Sequence, residues 1–206
     1  MVVLGGKACE WYRDFALKDE HHEFKNFMVS LLDYGNQIKI TRIDVAIDDF
    51  NEESFFTPVQ LHKICKKERF AYGKSTFYNI VGDGSKGATL YLKPCIADDC
   101  IRIYDKQAER ARDSDREQYS PQIRTEIVFR QQKAENFYLA YVYSYKDLLS
   151  LFQSYLKEKV NFYSDKDCKV PLKRWQDFLG RVEPFNIPIP KEKVLLFKKF
   201  DWIEFG

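Results

Sequence analysis

A chain of 206 residues has the length of one ordinary domain, or of two small lobes, and buries a core without disulfide staples. Apolar residues make up 45% and charged ones 31%, which excludes a disordered chain; 33 basic against 31 acidic residues leave a net +2, which excludes a polycationic arm but not a local contact with nucleic acid. The unusual figure is 16% aromatic, from 13 Tyr, 17 Phe and 3 Trp, so large rigid side chains are available to fill a core and phenols are plentiful.

In chain order, residues 9 to 33 carry apolar positions near helical spacing (Trp11, Tyr12, Phe15, then Phe24, Phe27, Met28, Leu31, Leu32), which predicts one or two helices ended by Gly35-Asn36. Residues 37 to 50 alternate through Ile43, Val45 and Ile47 and predict a strand. Thr57-Pro58-Val59-Gln60 carries an N-cap Thr, Pro at the first helical position and Gln at the third, the signature of a helix running to about Arg69. Strands over 76 to 81 and 88 to 93 flank GDGSKG. A strand from Cys100 to Asp105 leads into a charged helix over 106 to 116. Pro121 precedes a strand over 122 to 130. One long amphipathic helix is predicted over 134 to 159, from Phe137, Tyr141, Tyr145, Leu148, Leu149, Phe152 and Leu156. A short helix around Trp175 and Phe178 lies between Pro171 and Gly180, and a last helix follows from Lys191. The order implies an α+β fold: a mostly antiparallel β-sheet with one polar face, packed against amphipathic helices.

The polar face comes from strand alternation, which puts residues two apart on one side. In ITRIDVAIDDF, Ile43, Val45 and Ile47 oppose Arg42, Asp44, Ala46 and Asp48. In CIRIYDK, Ile101 and Ile103 oppose Arg102, Tyr104 and Lys106. In IRTEIVFR, Ile123, Thr125, Ile127 and Phe129 oppose Arg124, Glu126, Val128 and Arg130. One such strand is ordinary solvent-facing sheet. Asp, however, is a poor strand former, so two in one strand interior need a reason. Two carboxylates on one strand face, with a third from a neighbouring strand, suit a hard divalent cation with oxygen ligands. The three histidines (His21, His22, His62) have no metal-gripping spacing, which leaves Mg²⁺ or Mn²⁺ as the cations to expect.

Other motifs resolve to structure. GDGSKG matches G-x-G-x-x-G, but a strand follows it where a dinucleotide site needs a helix, so it reads as a hairpin turn. No Walker A pattern and no Ser-His-Asp set is present. The five cysteines are odd in number and scattered, which fits a reduced, cytoplasmic protein, and Cys95 and Cys100 read as small core residues. No apolar run approaches the ~18 residues of a membrane span.

ITRIDVAIDDF, GATLYL, IRIYDKQAER and RTEIVFR, in this order, resemble the Rep-trans family: initiators of rolling-circle plasmids, nicking relaxases of conjugative elements and similar phage proteins. GGKACEWY and RWQDFLGRVEPF are similar to its early Gly-Cys and late Trp-Phe segments, so the resemblance covers roughly residues 4 to 185. It implies nicking and religation of one origin DNA strand through a 5′-phosphotyrosine. Tyr104 would be the nucleophile, supported by Arg102, Lys106 and Arg124; Asp44, Asp48 and Glu126 would hold the Mg²⁺ or Mn²⁺. Single-stranded or cruciform origin DNA is the implied partner, with a host helicase as a second and no membrane, and the chain is expected to work as a monomer or homodimer. Residues 1 to 206 are expected to form a single nicking domain, shortened relative to its relatives by an N-terminal strand and a C-terminal tail. Lys93-Pro94 stands where relatives often have Gly-Ser. Two alternatives stay open: an origin-binding module without nicking, and a metal-dependent nuclease that uses water.

Local basic patches are expected to contact DNA phosphates. Lys63, Lys66, Lys67, Arg69 and Lys74 form the first, with Phe70, Tyr72 and Tyr78 near enough to stack on bases. Arg42 and Arg130 add to it on the strand face, and Lys191, Lys193, Lys198 and Lys199 form a patch in the last helix.

Overall fold

The alternating strands pair into one five-stranded antiparallel sheet in a computed structural model of the chain. It describes residues 24–82, 86–111, 122–144 and 147–181, with residues 5, 8, 11 and 12. The expected early helix before residue 24, the last helix and its lysines, and the far end of the charged helix lie outside the described residues.

Helix α1 spans Phe24–Ser30 and continues as a 3-10 segment, Leu31–Gln37, broken at Gly35 (φ 49°, ψ −124°) where the stop signal stood. Strand β1 is Arg42–Asp49. Helix α2, Pro58–Cys65, starts on the expected capping box: Thr57 accepts from the Gln60 amide, and Gln60 accepts from the Thr57 amide. It ends before Arg69 because the chain turns into a strand that periodicity did not show, β2 (Phe70–Tyr72), which pairs with β7 (Val160–Phe162) as a separate two-stranded sheet. Thr57→Ala should cost about 1 kcal/mol of stability, read as a lower urea midpoint at unchanged slope.

Strands β3 (Tyr78–Val81) and β4 (Thr89–Leu92) form the expected hairpin, with Val81 opposite Thr89. Gly82 (φ 89°) explains the glycine there: a Cβ would sit 2.4 Å from the Gly87 carbonyl oxygen. Strand β5 is Asp99–Asp105, followed by α3, Lys106–Arg110, capped by Asp105 on the Ala108 amide at 2.7 Å. Strand β6 is Ile123–Arg130. The single helix expected over 134 to 159 is instead two, α4 (Gln131–Tyr143) and α5 (Leu148–Lys159). Asp147 makes the break, taking the Ser150 amide at 2.7 Å as an N-cap. Helix α6 is Lys173–Leu179, stopped by Gly180 (φ 65°).

Strand order is β1-β6-β5-β4-β3, every neighbour antiparallel. One face carries Val45, Leu90, Leu92, Ile101, Ile103, Ile127 and Phe129, all buried. Much of the aromatic excess packs on that side. Phe129 stacks on Phe137 at 4.5 Å and meets Tyr155 edge-on at 4.9 Å, while Trp175 meets Phe162, Phe56 and Phe178. The paired aspartates of β1 divide by parity. Asp48 points to the opposite face; Asp49 is buried and caps the turn, taking the amides of Asn51 at 3.0 Å and Phe55 at 2.9 Å.

The cysteines differ from expectation. Cys95 and Cys100 are joined as a disulfide, with Cα atoms 5.1 Å apart, because the turn after Pro94 folds Cys95 back onto the start of β5. Cys65 and Cys168 are free. Among the described residues no helix is long and apolar enough to cross a membrane.

Candidate active site on the open sheet face

The register of β1, β6 and β5 turns the three charged strand patterns into one surface. One row crosses the sheet as Asp48, Arg124, Tyr104 and Thr89; the next as Ala46, Glu126, Arg102 and Tyr91. Asp44 lies opposite Val128, and Arg42 opposite Arg130. All eight charged or phenolic candidates on these strands therefore share the face opposite the core. Lys106 joins them from the start of α3, its ammonium 5.7 Å from the centre of the Tyr104 ring and paired with Glu109.

Each carboxylate has an arginine. Arg124 grips Asp48 with two bonds, at 2.5 and 2.6 Å. Arg42 grips Asp44 at 2.8 and 2.6 Å. Arg102 donates from Nη2 to Glu126 Oε1, and the same nitrogen stands 4.0 Å from Asp44 Oδ2. The Arg102 Nε is buried and has no hydrogen-bond partner among the described residues. Tyr104 donates to Glu126 Oε2 at 3.4 Å.

The expected three-carboxylate ligand set is not assembled. Among the described residues no group of three His, Cys, Asp or Glu side chains could hold a metal ion. The reason is the strand repeat: Asp44 and Asp48 are four residues apart, about 13 Å along β1 at ~3.3 Å per residue, too far for one ion. Glu126 stands between them in register. With Asp48 held by Arg124, the pair that faces a common point is Glu126 and Asp44, and the point is occupied by a guanidinium nitrogen.

The phenol of Tyr104 is pushed up to about 12, first by burial and then by the Glu126 charge; Arg124 works the other way. Arg124 itself is raised by its hydrogen bonds to Asp48, burial opposing, with Tyr104 adding to the rise. For Arg102, burial lowers the value but its bond to Glu126 outweighs that and raises it.

The first basic patch is elsewhere. Helix α2 buries Leu61 and Cys65 against the core side of the sheet, so Lys63, Lys66 and Lys67 are exposed on the far side from Tyr104. Lys74 is exposed in the turn after β2, while Arg69 is half-buried and donates to the Ser164 carbonyl at 2.7 Å. The aromatics expected to stack on bases beside this patch are engaged inside. Tyr72 is buried with its hydroxyl on Asp99, and Phe70 packs on Phe162 and Tyr78. A buried basic and phenolic cluster around Asp99 was not visible in the sequence, because its members come from β2, β5 and α5 as well as Lys93 and Lys133. Reading only the charged strands also leaves out Asn79, Thr89 and Tyr91, which continue the open face across β3 and β4.

Comparison with known proteins gives a match over residues 38–205 to the Rep-trans family, described as "Replication initiation factor". Among solved structures, the rolling circle replication initiator protein from Geobacillus stearothermophilus aligns with a TM-score of 0.64 and 23% identity, covering 89% of this chain and 69% of that one. At that identity the likeness is one of fold. No curated protein matches the chain.

Proposed function

The chain belongs to the Rep-trans family of replication initiation factors, and on that premise we propose that it nicks and rejoins one strand of origin DNA through a covalent 5′-phosphotyrosine on Tyr104. The observation that carries this reading is the side-by-side placement of Tyr104, Arg124 and Glu126 on one open sheet face. Tyr104 Oη attacks the scissile phosphorus, giving its proton to Glu126 Oε2. A tyrosyl oxygen-phosphorus bond forms, the bond from phosphorus to the 3′ oxygen breaks, and that oxygen leaves as a 3′-hydroxyl after taking a proton. Ester energy is retained, so a 3′-hydroxyl reverses the step without a nucleotide. Arg124, across the register from Tyr104, is placed to bind the phosphate oxygens as charge gathers on them, with Asp48 fixing its fork. Lys106 adds positive charge over the ring of the developing phenolate.

The donors fit a divalent cation in a reduced set. Glu126 and Asp44 offer hard carboxylate oxygens to one position, the one that Arg102 Nη2 contacts from both sides. Mg²⁺ is held through one or two carboxylates plus water and phosphate, which suits two ligands here better than three. Bound there, Mg²⁺ or Mn²⁺ would supply positive charge to the phosphate. The DNA is single-stranded or extruded as a cruciform, so that one unpaired strand can lie along the sheet face beside Tyr104.

The test is incubation of the protein with end-labelled single-stranded origin DNA and Mn²⁺, followed by denaturing electrophoresis. A label retained with the protein supports the reading. Cleaved DNA with no protein attached would replace the tyrosine by water, and binding without cleavage under any divalent ion would leave a binding module. Glu126→Gln separates two roles of one residue. Removing its charge lowers the Tyr104 phenol from about 12, read by ultraviolet titration against Tyr104→Phe. Adduct formation should nonetheless fall by about 10²-fold or more, because the proton acceptor is gone.

A further inference from the structure

The open face is divided by charge. From β1 to β5 it carries Arg42, Asp44, Asp48, Arg124, Glu126, Arg130, Arg102 and Tyr104. From there to the sheet edge the same two rows continue with no charge: Thr89 then Val81, and Tyr91 then Asn79. Val81 is 57% exposed and Asn79 is exposed; Tyr91 and Thr89 are half-buried. Among the described residues the side chains of Asn79, Thr89 and Tyr91 make no hydrogen bond. Their backs are anchored, since Leu90 and Leu92 on the other side of β4 are fully buried.

Asn is among the residues most depleted in strands. An Asn with no side-chain hydrogen bond among the described residues, on an edge strand and directly across from the Tyr91 ring, is poorly explained by solvation. Charge also says what does not bind here. Phosphates go to cations, and the paired residues of β3 and β4 on this face carry none. It presents instead a ring, an amide with donors and an acceptor, and a hydroxyl: groups that meet base faces and base edges. Base faces are hidden in a duplex, so the strand must be unpaired.

We propose that the β3–β4 half of this face is a base-binding track, on which Tyr91 stacks and Asn79 reads the edges of unpaired bases next to the phosphate held at Tyr104. The proposal rests on the nicking reading for the position of that phosphate, and it adds the residues that choose the sequence around it. Tyr91 lies in the row of Glu126, two strands along from it, and Thr89 is the direct neighbour of Tyr104, so the bases met here are those flanking the scissile bond on one side.

The experiment measures equilibrium binding of a labelled, mixed-sequence single-stranded oligonucleotide with divalent ions chelated, across a salt series. Tyr91→Ala should weaken binding roughly tenfold with an unchanged salt slope, because stacking is lost and no phosphate contact is. Tyr91→Phe should restore it, and duplex binding should be the same in all three proteins. In adducts recovered from a random-sequence pool with Mn²⁺, Asn79→Ala should lose the base preference of the wild type at one position beside the nick. Wild-type binding by Tyr91→Ala, a shallower salt slope, or failure of Tyr91→Phe to rescue would overturn the proposal. Absence of any adduct from the wild type would sink the nicking reading instead, and the chelated binding series would still decide the base track.

Discussion

Tyr104→Phe should abolish the covalent adduct, a fall on the order of 10³-fold or more, and leave the protein folded. Losing a nucleophile removes the covalent route itself, whereas losing one supporting group only raises its barrier. The hydroxyl has few structural duties: one long bond to Glu126, at 3.4 Å, and its contact with Arg124. Their loss is worth about 1 kcal/mol at most, so unfolding midpoints of the two proteins should nearly coincide. The resting phenol is ill-prepared for attack. With a value of about 12, from burial and the Glu126 charge, only about one molecule in 10⁵ is ionised at pH 7. The rate of adduct formation should therefore rise as pH is raised through the neutral range, because ionisation of the nucleophile is favoured in that direction. A labelled adduct that persists in Tyr104→Phe would move the chemistry to another of the 13 tyrosines.

The strand faces were legible because alternation is a local property. Arg42, Asp44 and Asp48 against Ile43, Val45 and Ile47 can be sorted with no knowledge of partners. Which strands adjoin is not local. Only the β1-β6-β5 order sets Arg124 between Asp48 and Tyr104, and that order pairs strands that lie far apart in the sequence. The spacing of the three carboxylates could have been worked out from the strand repeat alone, which separates Asp44 from Asp48 by two more residues than a shared ion tolerates. The break between α4 and α5 was masked by apolar residues that keep helical spacing through it, although Asp147 ahead of Leu-Leu-Ser is a cap signal. Tyr72 shows the deeper difficulty. Lys66, Lys67, Arg69 and Lys74 lie around it in the sequence, which suggested a DNA surface, but its hydroxyl is claimed by Asp99, 27 residues on. Burial of a polar side chain is decided by such distant partners, and no spacing rule reveals them.

Asp99 is the residue whose loss should most damage the fold. It is 1% exposed, yet it is bonded by Lys93 at 2.7 Å, by Tyr155 at 2.7 Å, and by Lys133 and Tyr72. Burial works against its charge, but the bonds from Lys133, Lys93, Tyr72 and Tyr155 outweigh it and hold the carboxyl below the ordinary range. The same arrangement raises Tyr72 and Tyr155, through burial first and the Asp99 charge after, so both stay as donors. Asp99→Ala strips four donors of their acceptor at once and should cost roughly 3–5 kcal/mol, a large part of the usual stability of a domain and about 10 °C or more in unfolding temperature. Asp99→Asn should cost less, since the amide oxygen still accepts from a tyrosine. The pH dependence has a definite sign. A carboxyl depressed in the folded state contributes stability that is complete above its unfolded value of about 4 and is lost as pH falls below that value toward the folded one. Urea midpoints at neutral pH and in acid should therefore converge: wild type loses more on acidification than Asp99→Asn, which has no charge there to lose. Because Asp99 opens β5, the strand that carries Arg102 and Tyr104, Asp99→Ala should also reduce adduct formation at temperatures where it is partly unfolded, and cooling should restore it. Equal acid sensitivity in wild type and Asp99→Asn would mean that the carboxyl is not charged in the fold, and the network would have to be redrawn around a neutral acid.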